Sequence, residues 1–385
     1  MKILLTTDVY NVKTNGVATS VRNLYEALLE LGHDVRIITL SNDDKSHRQK
    51  TVYYVKSASL ERIYSGIRMP RSLVTPFLNE LIEWKPDIIH SQCEVFSYTF
   101  AKKISKKTGA PIVHTYHTMY DDYVGYIIPF KRFGRWIIRK LTKARLKNVD
   151  VIITPTYKVE KAMKSYGLKN EIEIIPSGID LDQHKQILSN DERVKMRDSF
   201  NIKQTDVLFI SLGRVAPEKK IDELIRHFSK LCKLNEQVYL MVAGDGPSKE
   251  GLQQLSRELG IEDRVIFTGM IDPSKVHLYY QIADVFASAS TSETQGLTFI
   301  EAMANGLPLL CKKDDCLGGV LLDGLNGFFF ENEDSFIDGA YKLLDKGVRH
   351  SQGNKSRELS CSYDKLEFGK TLEKLYKRVL KKHAE

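Results

Sequence analysis

Glu293 and Glu301 stand eight residues apart in the run Ser292-Glu293-Thr294-Gln295-Gly296-Leu297-Thr298-Phe299-Ile300-Glu301-Ala302-Met303-Ala304. Two carboxylates so spaced can divide two tasks on one ligand, one meeting a sugar while the other reaches further along the molecule. For that, the chain between them must turn from loop to helix. Thr291 or Ser292 offers a capping hydroxyl, Gly296 lets the backbone approach a ligand, and Leu297, Ile300, Met303 and Ala304 recur at helical spacing. The pattern predicts a helix from about Gln295, with Glu293 just outside it and Glu301 about two turns in. Its first amides and positive dipole end suit the oxygens of a sugar or phosphate. Taken alone, the same spacing also fits a capped amphipathic helix carrying two solvated acids.

A second set of charges has the opposite sign. Gly213-Arg214-Val215-Ala216-Pro217-Glu218-Lys219 follows an apolar run, Val207–Leu212, that reads as a buried strand. Arg214 brings a fork of donors and Lys219 a point charge, a combination suited to a diphosphate. Ala243-Gly244-Asp245-Gly246-Pro247 is another strand-end turn, whose glycines either admit a ligand or simply make the turn. His114-Thr115-Tyr116-His117 closes a strand earlier in the chain. No set of carboxylates or cysteines accompanies these histidines, so no metal site is expected; His117, beyond the strand, is placed to bond a substrate and His114 to be structural. Asp180-Leu181-Asp182 has the form of a metal-binding D-x-D but falls in the expected joint between domains, which argues against that use.

The elements that must position these groups alternate regularly. Lys2–Thr7 reads as a strand, residues 18–31 as a helix closed by Gly32, and Asp34–Leu40 as a second strand, a β-α-β opening. Further strands are expected at Asp87–His90, Pro111–His114 and Val151–Thr154. A second series runs through Val207–Leu212, Val238–Ala243, Arg264–Thr268, Asp284–Ser288 and Leu307–Leu310. At 385 residues the chain is too long for one ordinary domain. The expectation is α/β: two doubly wound Rossmann-like domains, residues 1–184 and 185–362, facing across a cleft, with a basic amphipathic helix over 363–385 packing back on the first. Gly16 is the lone glycine of the first loop and G-x-G-x-x-G is absent, which weakens a nicotinamide reading.

No apolar run approaches the length needed to cross a bilayer, and the apolar start is stopped by Asp8. The five cysteines are scattered without C-x-x-C spacing, as expected of reduced structural thiols in a cytoplasmic protein. Charge is uneven: residues 1–180 hold 28 Lys and Arg against 18 Asp and Glu, while the remainder holds 29 against 31. The basic half is the one expected to face an anionic surface.

Taken in order, Asn15-Gly16-Val17-Ala18-Thr19-Ser20, His117, Gly213-Arg214 with Glu218-Lys219, Ala243–Pro247, Phe267-Thr268-Gly269 and the Glu293/Glu301 pair make the chain resemble, over nearly its whole length, the retaining glycosyltransferases of family 4, which have the GT-B architecture. The resemblance implies that Arg214 and Lys219 neutralise a donor diphosphate approached by Gly16. Glu293 would hold donor-sugar hydroxyls, with amides near Gln295, Gly296 and Leu297 contacting sugar or phosphate. Glu301 would take the ribose, Met270 and Ile271 the base, and His117 the transferred sugar near the reacting centre. It implies no protein nucleophile, cofactor or essential metal, since the leaving diphosphate helps deprotonate the acceptor. One departure lies at Leu309-Leu310-Cys311-Lys312-Lys313-Asp314-Asp315-Cys316, where many relatives carry a glycine-rich segment.

Lys131–Lys147 contains eight cations and no acid, and Phe133, Trp136, Ile137, Leu141 and Ala144 share one helical face. Such a helix can lie in anionic headgroups, with Arg135, Trp136, Arg139 and Lys143 as contacts, or pack its stripe into the domain. No recognition motif supports nucleic acid. Within the family, the runs His114–Tyr123 and Ser288–Thr298 look most like bacterial enzymes that glucosylate diacylglycerol, making glycolipid and lipoteichoic acid anchors. That resemblance implies UDP-glucose as donor, 1,2-diacylglycerol as acceptor, and an enzyme peripheral to the inner face of the cell membrane. Asp121, Asp122 and Tyr123 are placed to line the acceptor entrance. A soluble glycan or protein acceptor, a second-sugar glycolipid transferase and a non-catalytic anionic-surface binder remain as alternatives.

Overall fold

The computed structural model describes residues 1–12, 15–59, 68–121 and 131–385, and the chain divides into two compact units. The first comprises Met1–Ile179 and Tyr363–Glu385, the second Asp180–Ser362. The expected boundary after residue 184 moves to 179 because Asp180 already belongs to the second unit's first helix, Leu181–Lys185. Its carboxylate caps that helix by accepting from Asp182 N, and His184 is tied to Asn305.

In the first unit, β1 (Lys2–Thr6), β2 (Asp34–Leu40), β3 (His47–Gln49) and β4 (Val52–Val55) form one half of an eight-stranded sheet. A separate antiparallel pair joins β5 (Ser57–Ser59) to β6 (Arg68–Pro70). Completing the main sheet are β7 (Ile88–Ser91), β8 (Ile112–Thr115), β9 (Val151–Thr154) and β10 (Glu171–Ile174), in the order β10-β9-β8-β7-β1-β2-β4-β3. All its pairings are parallel except β3 with β4. A sheet covered on both faces needs strands apolar on both, and β1 shows this residue by residue. Ile3 and Leu5 join the core containing Leu24, Leu28, Phe368 and Leu372, whereas Leu4 joins the core of Tyr98, Phe100 and Ile104. The helix Gly16–Glu30 starts where the Asn15 carboxamide accepts from Val17 N and Ala18 N, so its cap is the residue before the glycine.

The C-terminal helix Lys365–Ala384 packs on Gly16–Glu30 through Gly369, where a side-chain carbon would stand 2.7 Å from Ala27 Cβ. The Tyr376 hydroxyl lies 2.6 Å from His90 Nδ1 in the core. Where the chain leaves and re-enters this unit, Ile179 N donates to Tyr363 O (2.8 Å) and Lys365 N to Ile179 O (2.9 Å).

The second unit has six parallel strands, β11 (Val207–Leu212), β12 (Val238–Ala243), β13 (Val265–Gly269), β14 (Val285–Ser288), β15 (Leu309–Lys312) and β16 (Gly327–Phe330), ordered β13-β12-β11-β14-β15-β16. β11, β12 and β9 match the sequence reading residue for residue; β15 starts two residues later than expected, because Leu307 N still donates to Ala302 O in the turn that closes the preceding helix. Order reverses after β11, so the loops following β11 and β14 leave neighbouring strands on the same edge, where ligands bind in doubly wound sheets.

Gly369→Ala is expected to destabilise the first unit by about 2 kcal/mol through overpacking against Ala27. Gly251→Ala, in a helix with open space at that position, should be neutral or slightly stabilising. Hydrogen exchange read in each unit would refute this if the two substitutions had equal effects.

Candidate active site

Arg214, Lys219 and Glu293 line one depression in the second unit, together with Ser211, Gly213, Ser288, Ser290 and Thr298. Two strand-end loops build it. After β11 the chain makes the turn Pro217–Lys219, and after β14 it runs through Ser290 to Glu293. Lys219 Nζ sits 2.5 Å from Glu293 Oε1, which also accepts from Ser290 Oγ at 2.9 Å. The loops are sewn together again beside this pair: Lys220 Nζ donates to Thr291 Oγ1 (2.7 Å), and Ser292 Oγ donates to Glu218 O (3.1 Å).

Those last contacts revise the expected role of Thr291 and Ser292. Their hydroxyls join loop to loop and cap no helix; the helix begins at Leu297, with Gly296 in the left-handed region (φ 74°) at its N-cap. A side chain at 296 would run into the Phe299 ring at 2.3 Å, so glycine is required here for both conformation and space. Because the helix starts two residues later than expected, Glu301 lies just over one turn in, not two. Gln295 is buried, Leu297 is half-buried, Met270 is exposed and Ile271 is buried. The turn at Ala243–Pro247 serves packing: a side chain at Gly244 would meet Gly213 O at 1.9 Å, and Gly213 N donates to Ala243 O.

Glu301 is half-buried and accepts from the Tyr280 hydroxyl at 3.0 Å, a partner that carries no sequence signal of its own. Burial pushes its carboxyl up to about 7, and the Tyr280 bond offsets only part of that.

In the first unit, Gly16 is the exposed opening residue of its helix. His117 follows β8 and is half-buried, its Nε2 lying 2.7 Å from Gln92 Oε1; burial, with His114 nearby, lowers its pKa to about 3. His114 is fully buried against Glu94 (3.2 Å), whose other oxygen accepts from the Tyr120 hydroxyl (2.9 Å). Gln92 and Glu94 were not singled out in the sequence, where each is one polar residue after a strand.

The helix Lys131–Leu146 buries Gly134, Thr142 and Leu146, and leaves Phe133, Trp136 and Leu141 58%, 56% and 60% exposed. Its aromatic stripe therefore does not pack into the unit that carries it. The rings of Phe133 and Trp136 stack at 6.0 Å. Arg139 donates from Nε and Nη2 to Asp121 Oδ2 (3.1 and 2.9 Å), so the structure pairs these two residues with each other rather than offering one to lipid and the other to an acceptor. Arg135 is exposed, and Lys143 lines a shallow depression with Lys147 and Lys169. Asp122 and Tyr123 lie outside the described residues.

Two Rossmann-like units with cations and a carboxylate at strand ends define a GT-B glycosyltransferase. Residues 14–183 match the family described as Glycosyltransferase Family 4, and residues 192–359 match Glycosyl transferases group 1. The chain is 33% identical over 381 residues to alpha-monoglucosyldiacylglycerol synthase of Streptococcus pneumoniae, covering 98% of this chain and 85% of that one. It is 31% identical to the Acholeplasma laidlawii enzyme of the same name, covering 100% and 98%. Among solved structures, Anabaena HepE in complex with UDP-glucose superposes with a TM-score of 0.75 at 16% identity, covering 98% and 100%. The chain belongs to glycosyltransferase family 4 and is a glycosyltransferase.

A carboxyl held at about 7 in the fold, against an ordinary 4.5, keeps a proton that the unfolded chain releases. Its contribution to stability is therefore complete below about pH 4.5 and lost as pH rises through 7, by up to about 3 kcal/mol. Denaturation at pH 5 and pH 8 should show this loss in the wild type and not in Glu301→Gln; an identical pH dependence in both would remove Glu301 as its source.

Proposed function

We propose that this enzyme transfers glucose, with retention of the α configuration, from UDP-glucose to the free hydroxyl of 1,2-diacylglycerol at an anionic membrane surface, supplying glycolipid and lipoteichoic acid anchors. The observation that carries this reading is the near-full-length similarity to two alpha-monoglucosyldiacylglycerol synthases. The depression around Lys219 and Glu293 supports its donor half, as does the likeness of fold to a protein solved with UDP-glucose.

In the proposed reaction Arg214 and Lys219 face the diphosphate, where negative charge grows as the bond from the sugar carbon to the phosphate oxygen breaks. The acceptor oxygen bonds to that carbon on the same face, and its proton passes to the departing phosphate oxygen. Glu293 holds sugar hydroxyls and Glu301 the ribose, while His117 meets the transferred sugar; the two cations make a divalent metal unnecessary. A fixed sugar pose supplies the remainder of the rate. The helix Lys131–Leu146 supports the lipid half, since exposed aromatic residues interleaved with cations suit an anionic headgroup layer. Among the described residues no helix is long and apolar enough to cross a membrane, and the proposed association is peripheral, at the inner face.

Labelled UDP-glucose incubated with the protein and anionic vesicles should label lipid only when diacylglycerol is present, and should do so in EDTA. Glu293→Ala and Lys219→Ala should each lower transfer by at least about 100-fold without unfolding. Label entering a soluble glycan instead would overturn the acceptor, and normal turnover by either variant would overturn the donor site. The combined Phe133→Ser, Trp136→Ser, Lys140→Glu and Lys143→Glu variant, which spares the Arg139–Asp121 pair, should lose vesicle binding; retained binding would sink the membrane role of that helix.

A further inference from the structure

We propose that the turn at 72–75 is a second bilayer contact, separate from the helix Lys131–Leu146. Leu73 and Val74 enter an anionic lipid surface there, so that the first unit rests on the membrane by the carboxyl edge of its sheet, an inference that rests on the membrane reading above.

The place of the turn follows from three bonds. Trp84, the last residue of the helix Phe77–Trp84, accepts from Lys2 Nζ (3.0 Å) through its carbonyl and donates its indole N–H to Asp34 Oδ2 (2.9 Å), at the amino ends of β1 and β2. Arg71 N donates to Lys56 O (3.2 Å), just past the carboxyl end of β4. The turn between Arg71 and that helix therefore lies at the carboxyl edge, where Gln92 and His117 follow β7 and β8. The helix Lys131–Leu146 has the same polarity. It ends near the amino end of β8, where Asp150 N donates to Ile112 O (2.8 Å). From there its 16 residues rise about 24 Å, past the Arg139–Asp121 pair, to Trp136 and Phe133.

At that edge Val74 is 77% and Leu73 42% exposed. Single exposed apolar residues are ordinary on a protein surface; the setting of this pair is what singles it out. Ser72 Oγ accepts from Val74 N (3.0 Å) and the carbonyl of buried Thr75 from Leu78 N (3.2 Å), which fixes the turn by its own polar groups and leaves both apolar side chains outward. Lys103 Nζ donates to Leu73 O (2.8 Å) from the helix Ser97–Thr108, which also carries Lys102, Lys106 and Lys107 and has no acid. Among the described residues none of these four lysines is in an ion pair. Arg71 is engaged by Asp44 (2.9 Å), so the uncompensated charge beside the turn is that of the lysines. Apolar tips beside such ammonium groups are complementary to lipid phosphates over acyl chains, as the face bearing Phe133 and Trp136 is. A lone helix lying in the headgroups can roll about its axis, and a contact on another element stops the roll. It turns the carboxyl edge, with His117, toward the layer that holds the hydroxyl of a diacylglycerol.

The full chain has two tryptophans, buried Trp84 and exposed Trp136, which serve as reporters. Vesicles of phosphatidylglycerol and phosphatidylcholine with brominated acyl chains should quench Trp136 in the wild type and leave Trp136→Phe nearly unquenched. Adding Val74→Trp to Trp136→Phe should restore quenching, with all three proteins sedimenting with the vesicles. In the otherwise natural chain, Leu73→Ser with Val74→Ser should weaken partition onto these vesicles about tenfold and raise KM for diacylglycerol about fivefold, with KM for UDP-glucose within about twofold. Quenching of Trp136 without quenching at position 74 would overturn this contact and leave that of the helix standing; quenching at neither would remove both. A blue shift at position 74 that grows with protein concentration in the absence of vesicles would assign the turn to a contact between copies. Unchanged partition of the Leu73→Ser/Val74→Ser variant would also overturn the proposal. If the wild type moved no glucose to diacylglycerol, that reading would fall by itself, and the quenching would still decide whether the turn meets lipid.

Discussion

Lys219 and Glu293 form an ion pair at 2.5 Å, both side chains largely covered, in a depression of the second unit. Removing either would leave the other's charge without its partner and partly out of water. The same pair fixes the distance between two loops that leave neighbouring strands, and Lys220–Thr291 and Ser292–Glu218 hold that distance from either side. The site's geometry therefore depends on a local electrostatic closure within one unit. Arg214 borders the same depression, which brings two cations and one carboxylate to its lining.

Most of the strand framework was legible in the sequence because strands buried on both faces read as unbroken apolar runs. Val207–Leu212 and Val238–Ala243 need no tertiary information to be placed. The helix after Glu293 was placed too early, since hydroxyl residues at 291 and 292 look like caps until one sees that Glu218 O and Lys220 hold them. Nothing in the sequence reports that Gly296 takes a left-handed conformation. Tyr280 and Gln92 were missed for another reason: each acts on a residue distant in sequence, Glu301 and His117, and neither sits in a run with a chemical pattern. Arg139 reads in the sequence as one of the headgroup contacts of a basic helix, because nothing there reports that Asp121, eighteen residues earlier, takes its guanidinium.

Membership of a glycosyltransferase family defines a scaffold and a donor chemistry more narrowly than it defines an acceptor. Arg214, Lys219 and Glu293 are crowded at the strand ends of one unit. The basic helix of the other unit is under looser constraint: it is anchored by small residues such as Gly134 and Thr142, and its exposed positions can vary without disturbing the core.

The first unit is assembled from both ends of the chain, and this bears on how the protein is made. Phe368, Leu372, Leu375, Tyr376 and Val379 complete a core whose other members, from Ile3 to Ile175, emerge from the ribosome far earlier. Until the helix Lys365–Ala384 is made, the helix Gly16–Glu30 has an uncovered apolar flank and His90 lacks the Tyr376 hydroxyl. The second unit, continuous in the chain, is complete before that helix is synthesised. Maturation thus runs against chain order: the later unit can fold first, and the earlier one waits in a sticky, chaperone-accessible state for its closing segment.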